Sequence, residues 1–258
     1  MGRIIAVASG KGGVGKTTIV ANLGIALANQ GKKVIMVDAD LDMANLELVL
    51  GMEGRPITLQ DVLNGEAQAQ DAVYNITENA KVVPAGISPS QFRRVDPEKL
   101  QRVVFEYAGN ADFVLLDCPA GVGRDTIACL SSCKETILVM NPEPISATDA
   151  YKTKIVAEKM GSDVIGVIIN MIKGIKGELT QREVETLLEA PILAKIDEDP
   201  LVRECVATGK PIVRQYPTST TSIIINKLAS DLTGIAFKVE APKMSILDKI
   251  LNFLRRKR

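Results

Sequence analysis

Short runs of Val, Ile, Leu and Ala alternate with segments whose apolar residues recur at helical spacing. The runs predict buried strands, and the segments between them predict helices packed on a sheet. Strands are predicted at residues 3–8, 33–37, 81–84, 112–116, 135–140, 164–169 and 191–196. Helices are predicted at 16–30, 97–108, 124–132, 146–160, 179–189, 200–208 and 218–236. This alternation predicts an α/β fold in one domain, residues 1–237, with a mainly parallel twisted sheet and helices on both faces.

A glycine-rich turn separates the first predicted strand from the first predicted helix. Its residues are Gly10, Lys11, Gly12, Gly13, Val14, Gly15, Lys16, Thr17 and Thr18. They fit the pattern G-x-x-x-x-G-K-[ST], in which backbone N–H groups cradle phosphates, the lysine contacts the β- and γ-phosphates and the hydroxyl binds Mg²⁺. The start of the following helix adds a dipole that favours anions. A turn that binds nothing is the alternative, but its context predicts a phosphate-binding loop of the P-loop NTPase kind.

Acidic residues follow two of the predicted strands. Asp38 and Asp40 come directly after the second strand, and Asp117 follows the fourth. Open α/β sheets bind ligands at the carboxyl ends of their strands, so these acids are expected beside the phosphates. There Asp117 would support Mg²⁺, and the glycine at Gly121 would let an N–H approach the γ-phosphate. Capping of the next helix is an alternative role for Asp38 and Asp40.

The residues after the strand at 164–169 bear on which base is bound. A guanine-binding N-K-x-D motif starting at Asn170 would need Lys at position 171 and Asp at position 173. The chain has Met171 and Lys173 there. ATP is therefore favoured over GTP.

Composition argues against two classes of partner. Lys plus Arg equals Asp plus Glu at 31 each, and the aromatic residues are four tyrosines and five phenylalanines. Nucleic acid is disfavoured as a partner, because there is no global positive field and little stacking surface. A zinc site is disfavoured because there is no histidine and no paired-cysteine motif. The cysteines are instead expected to be buried thiols, which fits a reducing cytoplasm.

Residues 244–258 form a second informative segment, after a linker at 238–243 that contains Pro242. Arranged as a helix, the segment has one bulky apolar face, one polar face and four cationic residues at its end. This is typical of a helix in the interface of an anionic membrane. Docking on the protein itself or on a partner helix is the alternative. One such tail binds marginally, whereas two in a dimer would raise avidity by about 10²–10⁴.

The loop at residues 10–18 resembles, residue by residue, the K-G-G-x-G-K-T-T loop of the deviant Walker A ATPases. Together with residues 38–46, 58–63 and 117–121 and the C-terminal segment, it makes essentially the whole chain similar to the MinD/ParA family, most closely to its archaeal-type members. The chain departs from the family pattern in two places. Cys118 stands where Ser or Thr is usual, and Asp197 stands where Pro is common in the adenine loop.

The resemblance implies roles for individual residues. Lys11 would reach the partner's phosphates in an ATP-bound homodimer, much as an arginine finger acts in trans. Asp40 would orient the attacking water, and Asp38 and Asp40 would both support the metal. Asn170 would hydrogen-bond the adenine. Partner proteins would bind near the helix at 146–160, where Asp149 is a candidate contact.

The family also implies an activity and a location. The chain would be an Mg²⁺-dependent ATPase, cycling between ATP and ADP on the inner face of the cell membrane as a cytoplasmic, peripheral protein. It would position the division septum or other spatially regulated machinery, with Lys11, Lys16, Asp40 and Asp117 as the catalytic residues. The C-terminal helix would bind anionic lipids.

Other functions stay open. A ParA-type DNA-partitioning ATPase would share the loop and the acids, although the balanced charge and the C-terminal helix weigh against it. A nucleotide-gated factor for metal-site assembly would want paired cysteines, which this chain lacks. A scaffold that binds ATP without hydrolysing it would also carry an intact loop.

Overall fold

The computed structural model describes residues 1–86 and 96–236. Within these ranges the strands form a single twisted sheet, and every neighbouring pair except the first is parallel. The strands are β1 (Arg3–Ser9), β2 (Val34–Asp38), β3 (Tyr74–Asn75), β4 (Ala80–Val83), β5 (Phe113–Ala120), β6 (Glu135–Met140), β7 (Asp163–Ile172) and β8 (Ile192–Asp197). Their order across the sheet is β3-β4-β2-β5-β1-β6-β7-β8.

Helices cover both faces of this sheet. They are α1 (Lys16–Asn29), α2 (Leu46–Val49), α3 (Leu59–Asn64), α4 (Pro97–Gly109), α5 (Arg124–Ser131), α6 (Pro144–Lys159), α7 (Gln181–Leu188), α8 (Pro200–Ala207), α9 (Ile212–Gln215) and α10 (Thr220–Thr233), with a 3₁₀ turn at Ala69–Ala72. The α/β class and the mainly parallel sheet predicted from the sequence are confirmed.

Each predicted strand and helix is present, with ends that differ by a few residues. The pattern missed β3, α2, α3, α9 and the 3₁₀ turn, which are two to six residues long. Segments this short hold too few residues to display a helical or strand period. β3 pairs antiparallel with β4 at one edge of the sheet.

The sheet separates two apolar layers, and α1 occupies the centre of one of them. This helix is buried on nearly every side, from Ile19 to Ala28, because it lies between the sheet and α10. The other layer packs α3 to α7 against the opposite face. The cysteines Cys118, Cys129, Cys133 and Cys205 are buried free thiols, as predicted.

Three segments of the prediction lie outside the described residues. These are the linker at 238–243, the amphipathic helix at 244–258 and the domain boundary at 237. Within the part of the chain that the structure describes, none of the helices has the length and apolar character needed to cross a bilayer.

Candidate functional site

The glycine-rich loop joins the end of β1 to the start of α1. Gly15 is the N-cap of α1 with φ +94°, a left-handed conformation that glycine adopts without strain. A Cβ at this position would lie 2.4 Å from the Nδ2 atom of Asn170, so only glycine fits. Lys16 opens the helix and is 7% exposed. The loop therefore directs a buried amine and the N-terminus of α1 toward the same carboxyl edge of the sheet.

Asp38 is the last residue of β2, and Asp117 lies near the end of β5, the strand between β2 and β1. The parallel register of β2 and β5 pairs them directly, and both side chains are buried. Burial and the neighbouring Asp117 raise the pKa of Asp38 well above its ordinary value. Burial also raises the pKa of Asp117 to about 6, although a hydrogen bond from Thr17 and the positive charge of Lys16 both act to lower it. Two acids held this way favour a cation between the sheet edge and the loop.

The oxygens of Asp38 already accept backbone hydrogen bonds. Oδ1 accepts from the N–H of Asp40 at 3.1 Å, and Oδ2 accepts from Asn45 and Leu46 at 3.1 and 3.0 Å. Since Leu46 opens α2, the capping role left open by the sequence is present for Asp38. The metal role predicted for Asp38 stays a prediction. Because both of its oxygens accept backbone hydrogen bonds, Asp38 would attract a cation through its charge and not as a direct ligand.

Asp117 differs from Asp38 in having a free oxygen. Its Oδ1 atom is buried without a hydrogen-bond partner among the described residues. A buried carboxylate oxygen without a partner destabilises the folded state unless a ligand or a metal ion binds to it. The donor set of Asp117 and the Thr17 hydroxyl suits Mg²⁺, which prefers hard oxygen ligands and keeps several waters.

The side chains at this site fit a metal ion that is bound together with a phosphate group. Within residues 1–86 and 96–236, no three His, Cys, Asp or Glu side chains lie close enough to hold a metal by themselves. Mg²⁺ at this edge would be completed by phosphate oxygens and water, with Thr17 and Asp117 as the protein side of its shell. Asp40 lies nearby and half-buried; burial raises its pKa, and its Oδ1 accepts from the N–H of Met43 at 3.1 Å.

Gly121 lies in the loop after β5 with φ +84°. Its N–H donates to the carbonyl of Ser9 at 2.8 Å, so this N–H is not available to a phosphate while that hydrogen bond is formed. The loop also approaches the phosphate-binding turn at Gly12, where a Cβ would lie 3.9 Å from that of Ala120. Contact of Gly121 with a γ-phosphate stays a prediction that requires this hydrogen bond to open.

Asn170 is tied to the phosphate-binding loop. Its Nδ2 donates to the carbonyl of Val14 at 2.8 Å, and its own carbonyl accepts from Asn141 Nδ2 at 3.1 Å. The next residue, Met171, has φ +58°, which is unusual for a residue with a side chain. The family resemblance predicts an adenine contact for Asn170, whereas no sequence motif identifies Asn141 as a residue of the site. A side chain that bonds a backbone carbonyl far along the chain leaves no local sequence signal.

A small cavity lies beside α1, between the ends of β7 and β8. Its volume is about 50 Å³, and Thr18, Asn170, Met171 and Asp197 are among the residues that line it. The position next to the phosphate-binding loop is where a base attached to the phosphates would extend. The cavity has room for water but not for a purine, so a base would enter only after the lining side chains move.

The remaining predicted residues, Lys11 and Asp149, lie at the edge of the site, where the glycine-rich loop meets α6. The exposed Lys11 Nζ is 3.6 Å from Glu143 Oε2, at the start of α6. Asp149, on the same helix, pairs with Lys152 at 2.9 Å. A Cβ on Gly10 would lie 2.2 Å from the carbonyl carbon of Asp149, so the loop and α6 touch backbone to backbone.

Comparisons with known proteins agree with this geometry. Residues 5–212 match the family model described as the CobQ/CobB/MinD/ParA nucleotide binding domain. An uncharacterised ATP-binding protein of Methanocaldococcus jannaschii is 45% identical over 239 residues, covering 93% of this chain and 90% of that protein. The septum site-determining protein MinD of Thermotoga maritima is 36% identical over 223 residues, covering 82% and 81% of the two chains.

A solved structure extends the similarity to three dimensions. The septum site-determining protein MinD of Pyrococcus horikoshii, complexed with Mg-ADP, has a TM-score of 0.87 and 41% sequence identity, and the match covers 93% of this chain and 100% of that one. The family model spans most of the chain, and the loop and acids that define the site lie within it. The chain belongs to the MinD/ParA family of nucleotide-binding proteins.

Proposed function

We propose that this chain is an Mg²⁺-dependent ATPase that works as a molecular switch. It dimerises with ATP, binds the inner face of the cell membrane through residues 244–258 and positions the division septum or other localised machinery. The observation that carries the ATPase part is the buried Oδ1 of Asp117, which lies beside Thr17 and Lys16 and has no hydrogen-bond partner within residues 1–86 and 96–236. Relatives named as septum site-determining proteins support the cellular role.

The residues divide the work of hydrolysis. The backbone of the glycine-rich loop and the Lys16 amine would bind the β- and γ-phosphates. Thr17 and Asp117 would form the protein side of the Mg²⁺ coordination shell. Bound Mg²⁺ would spread the charge that develops on the γ-phosphate. Asp40 orients the attacking water, and burial raises the pKa of its carboxyl, which makes the ionised group a stronger acceptor of the water's proton. Lys11 from the partner subunit adds the charge that makes turnover depend on dimerisation.

Membrane residence follows from the dimer. A single C-terminal segment gains about 1.5 to 3 kcal/mol for each buried apolar side chain, but ordering each residue costs about 1 to 2 kcal/mol. Two segments on one ATP-bound dimer bind together, which raises avidity by about 10²–10⁴. Hydrolysis separates the subunits and returns each to weak binding.

One experiment tests both parts. Phosphate release with Mg-ATP is measured on the full chain, and cosedimentation with vesicles containing anionic lipid is measured with ATP and with ADP. The control chain ends at Lys243. We expect turnover in the full chain, and vesicle binding that is strong with ATP, weak with ADP and absent from the shortened chain. Equal binding with the two nucleotides contradicts the switch, and no phosphate release contradicts the ATPase.

The same samples distinguish the DNA-partitioning function. Retention on DNA with ATP, without retention on vesicles, would favour that function over membrane binding. The balanced charge of 31 acidic and 31 basic residues predicts no such retention.

A further inference from the structure

Lys11 is paired with an acid of its own subunit. Its Nζ lies 3.6 Å from Glu143 Oε2. We infer that Glu143 is a positioning residue that holds Lys11 in the ATP-free monomer and must release it before the dimer forms. The inference rests on the proposed role of Lys11 in trans, because a lysine that reaches the partner's phosphates cannot also stay on Glu143.

The backbone on the Lys11 side is fixed. The hydroxyl of Ser9 donates to the carbonyl of Lys11 at 2.8 Å. One residue earlier, Gly10 packs so closely on α6 that a Cβ would lie 2.2 Å from the Asp149 carbonyl carbon. The start of α6 and the loop therefore keep their spacing, and the freedom that remains lies in the Lys11 side chain.

The backbone on the Glu143 side is fixed as well. The N–H of Glu143 donates to the carbonyl of Asn141 at 2.8 Å. Asn141 in turn donates to the carbonyl of Asn170, whose side chain donates to Val14 in the phosphate-binding loop. This chain of hydrogen bonds keeps the backbone of Glu143 next to the phosphate-binding loop that carries Lys11.

The Glu143 carboxylate is available for this pairing. Glu143 is the N-cap residue of α6, yet its side chain accepts no capping hydrogen bond from the helix. Because the Glu143 carboxylate makes no capping hydrogen bond, it can pair with the Lys11 amine, which lies 3.6 Å away.

The pair is weak, which suits a contact that must open. The side chains of Lys11 and Glu143 are 49% and 54% exposed. Exposed pairs change an equilibrium constant by up to about five-fold. A symmetric dimer opens two such pairs, so the dissociation constant of the dimer should rise by up to about 25-fold relative to a chain without the acid.

The dimer arm of the test compares the full chain with Glu143→Gln in a non-hydrolysable ATP analogue, by analytical ultracentrifugation. We expect the variant to dimerise about three- to 25-fold more tightly at low salt, and the advantage to shrink at high salt. The matched control is Glu158→Gln, which removes the same charge from α6 by breaking the pair with Lys154 at 2.8 Å. Its dimer should match that of the wild type.

The monomer arm detects the pair directly. A water-soluble carbodiimide activates a carboxylate, a nearby amine displaces the urea, and an amide remains. A linked Lys11–Glu143 peptide should appear by mass spectrometry without nucleotide and disappear with the ATP analogue. Lys227, an exposed residue of α10 with no ion pair among the described residues, lies in the layer on the opposite side of the sheet from α6, so it is the internal control and should not link to Glu143.

The outcomes separate the two hypotheses. If the wild type dimerises but Glu143→Gln dimerises equally or less well, or if no linked peptide forms, the holding role of Glu143 is overturned and the proposed function stands. If neither chain dimerises with ATP, the proposed function is overturned and the release of Lys11 falls with it.

Discussion

Asp38 and Asp117 are direct neighbours across the parallel pair β2 and β5, at the carboxyl edge of the sheet. They lie 79 residues apart in the sequence, and both are buried. One oxygen of Asp117 has no partner among the described residues, whereas both oxygens of Asp38 accept backbone N–H groups. The two acids therefore combine a shared negative field with one open ligand position.

This pair predicts how stability depends on pH in the metal-free protein. The folded pKa of Asp117 is raised to about 6 from 3.8. The folded state then binds a proton that the unfolded state has released, so stability is present at low pH and is lost as pH rises through about 6. In chelator, we expect the free energy of unfolding to fall by about 1–3 kcal/mol between pH 5 and pH 7.

Denaturant unfolding of wild type and Asp117→Asn at the two pH values measures this effect. The asparagine has a similar shape and does not titrate, so the fall should shrink in the variant. An equal pH dependence in both chains would show that Asp117 does not have the raised pKa.

Asp40 carries the prediction about turnover. Asp40→Ala removes the group proposed to orient water and leaves the loop, Lys16 and Asp117 in place. Phosphate release should fall by about 10²–10⁴-fold, while ATP affinity, measured by calorimetry, stays within about three-fold. Unchanged turnover would remove Asp40 from its proposed role, and a matching loss of affinity would make it a binding residue instead.

Asn170 has two possible roles, and they predict different losses. Its bond to the Val14 carbonyl supports the loop, so Asn170→Ala should weaken Mg-ATP and Mg-tripolyphosphate binding by the same factor. The same change should lower the free energy of unfolding by about 1–2 kcal/mol, because a buried carbonyl loses its donor. Weaker ATP binding with unchanged tripolyphosphate binding would instead support the adenine contact implied by the family resemblance.

Gly51 and Gly209 make a close backbone contact between the loops after α2 and α8. Gly51 has φ +65°, and a Cβ there would lie 2.7 Å from the carbonyl oxygen of Gly209. Gly51→Ala should therefore cost about 2–5 kcal/mol of stability, from backbone strain and from the clash. Gly54 is the matched control, because it has φ +73° with nothing within 4 Å of a Cβ.

Thermal and denaturant unfolding of the two variants separates the two effects. Gly54→Ala should lose only the strain of a left-handed alanine, about 1–2 kcal/mol. Equal losses in the two variants would mean that the Gly51–Gly209 contact adds nothing beyond backbone strain.

The sequence by itself determined the parts of this protein that have local signals. Apolar periodicity predicted each main strand and helix, and the spacing of glycines, lysine and threonine located the phosphate-binding loop. The position of Asp38, Asp40 and Asp117 directly after their strands predicted that these acids would meet at one edge. The strands and helices are confirmed because each depends on residues within one segment, whereas phosphate binding by the loop and the catalytic roles of the acids stay predictions.

Only the tertiary structure decided which residues face each other. The strand order placed β2 beside β5, which pairs Asp38 with Asp117. The bonds from Asn141 through Asn170 to Val14, and the pair of Lys11 with Glu143, join segments more than 25 residues apart. Such contacts depend on how strands order and how loops pack, and no periodicity or spacing in one segment records them.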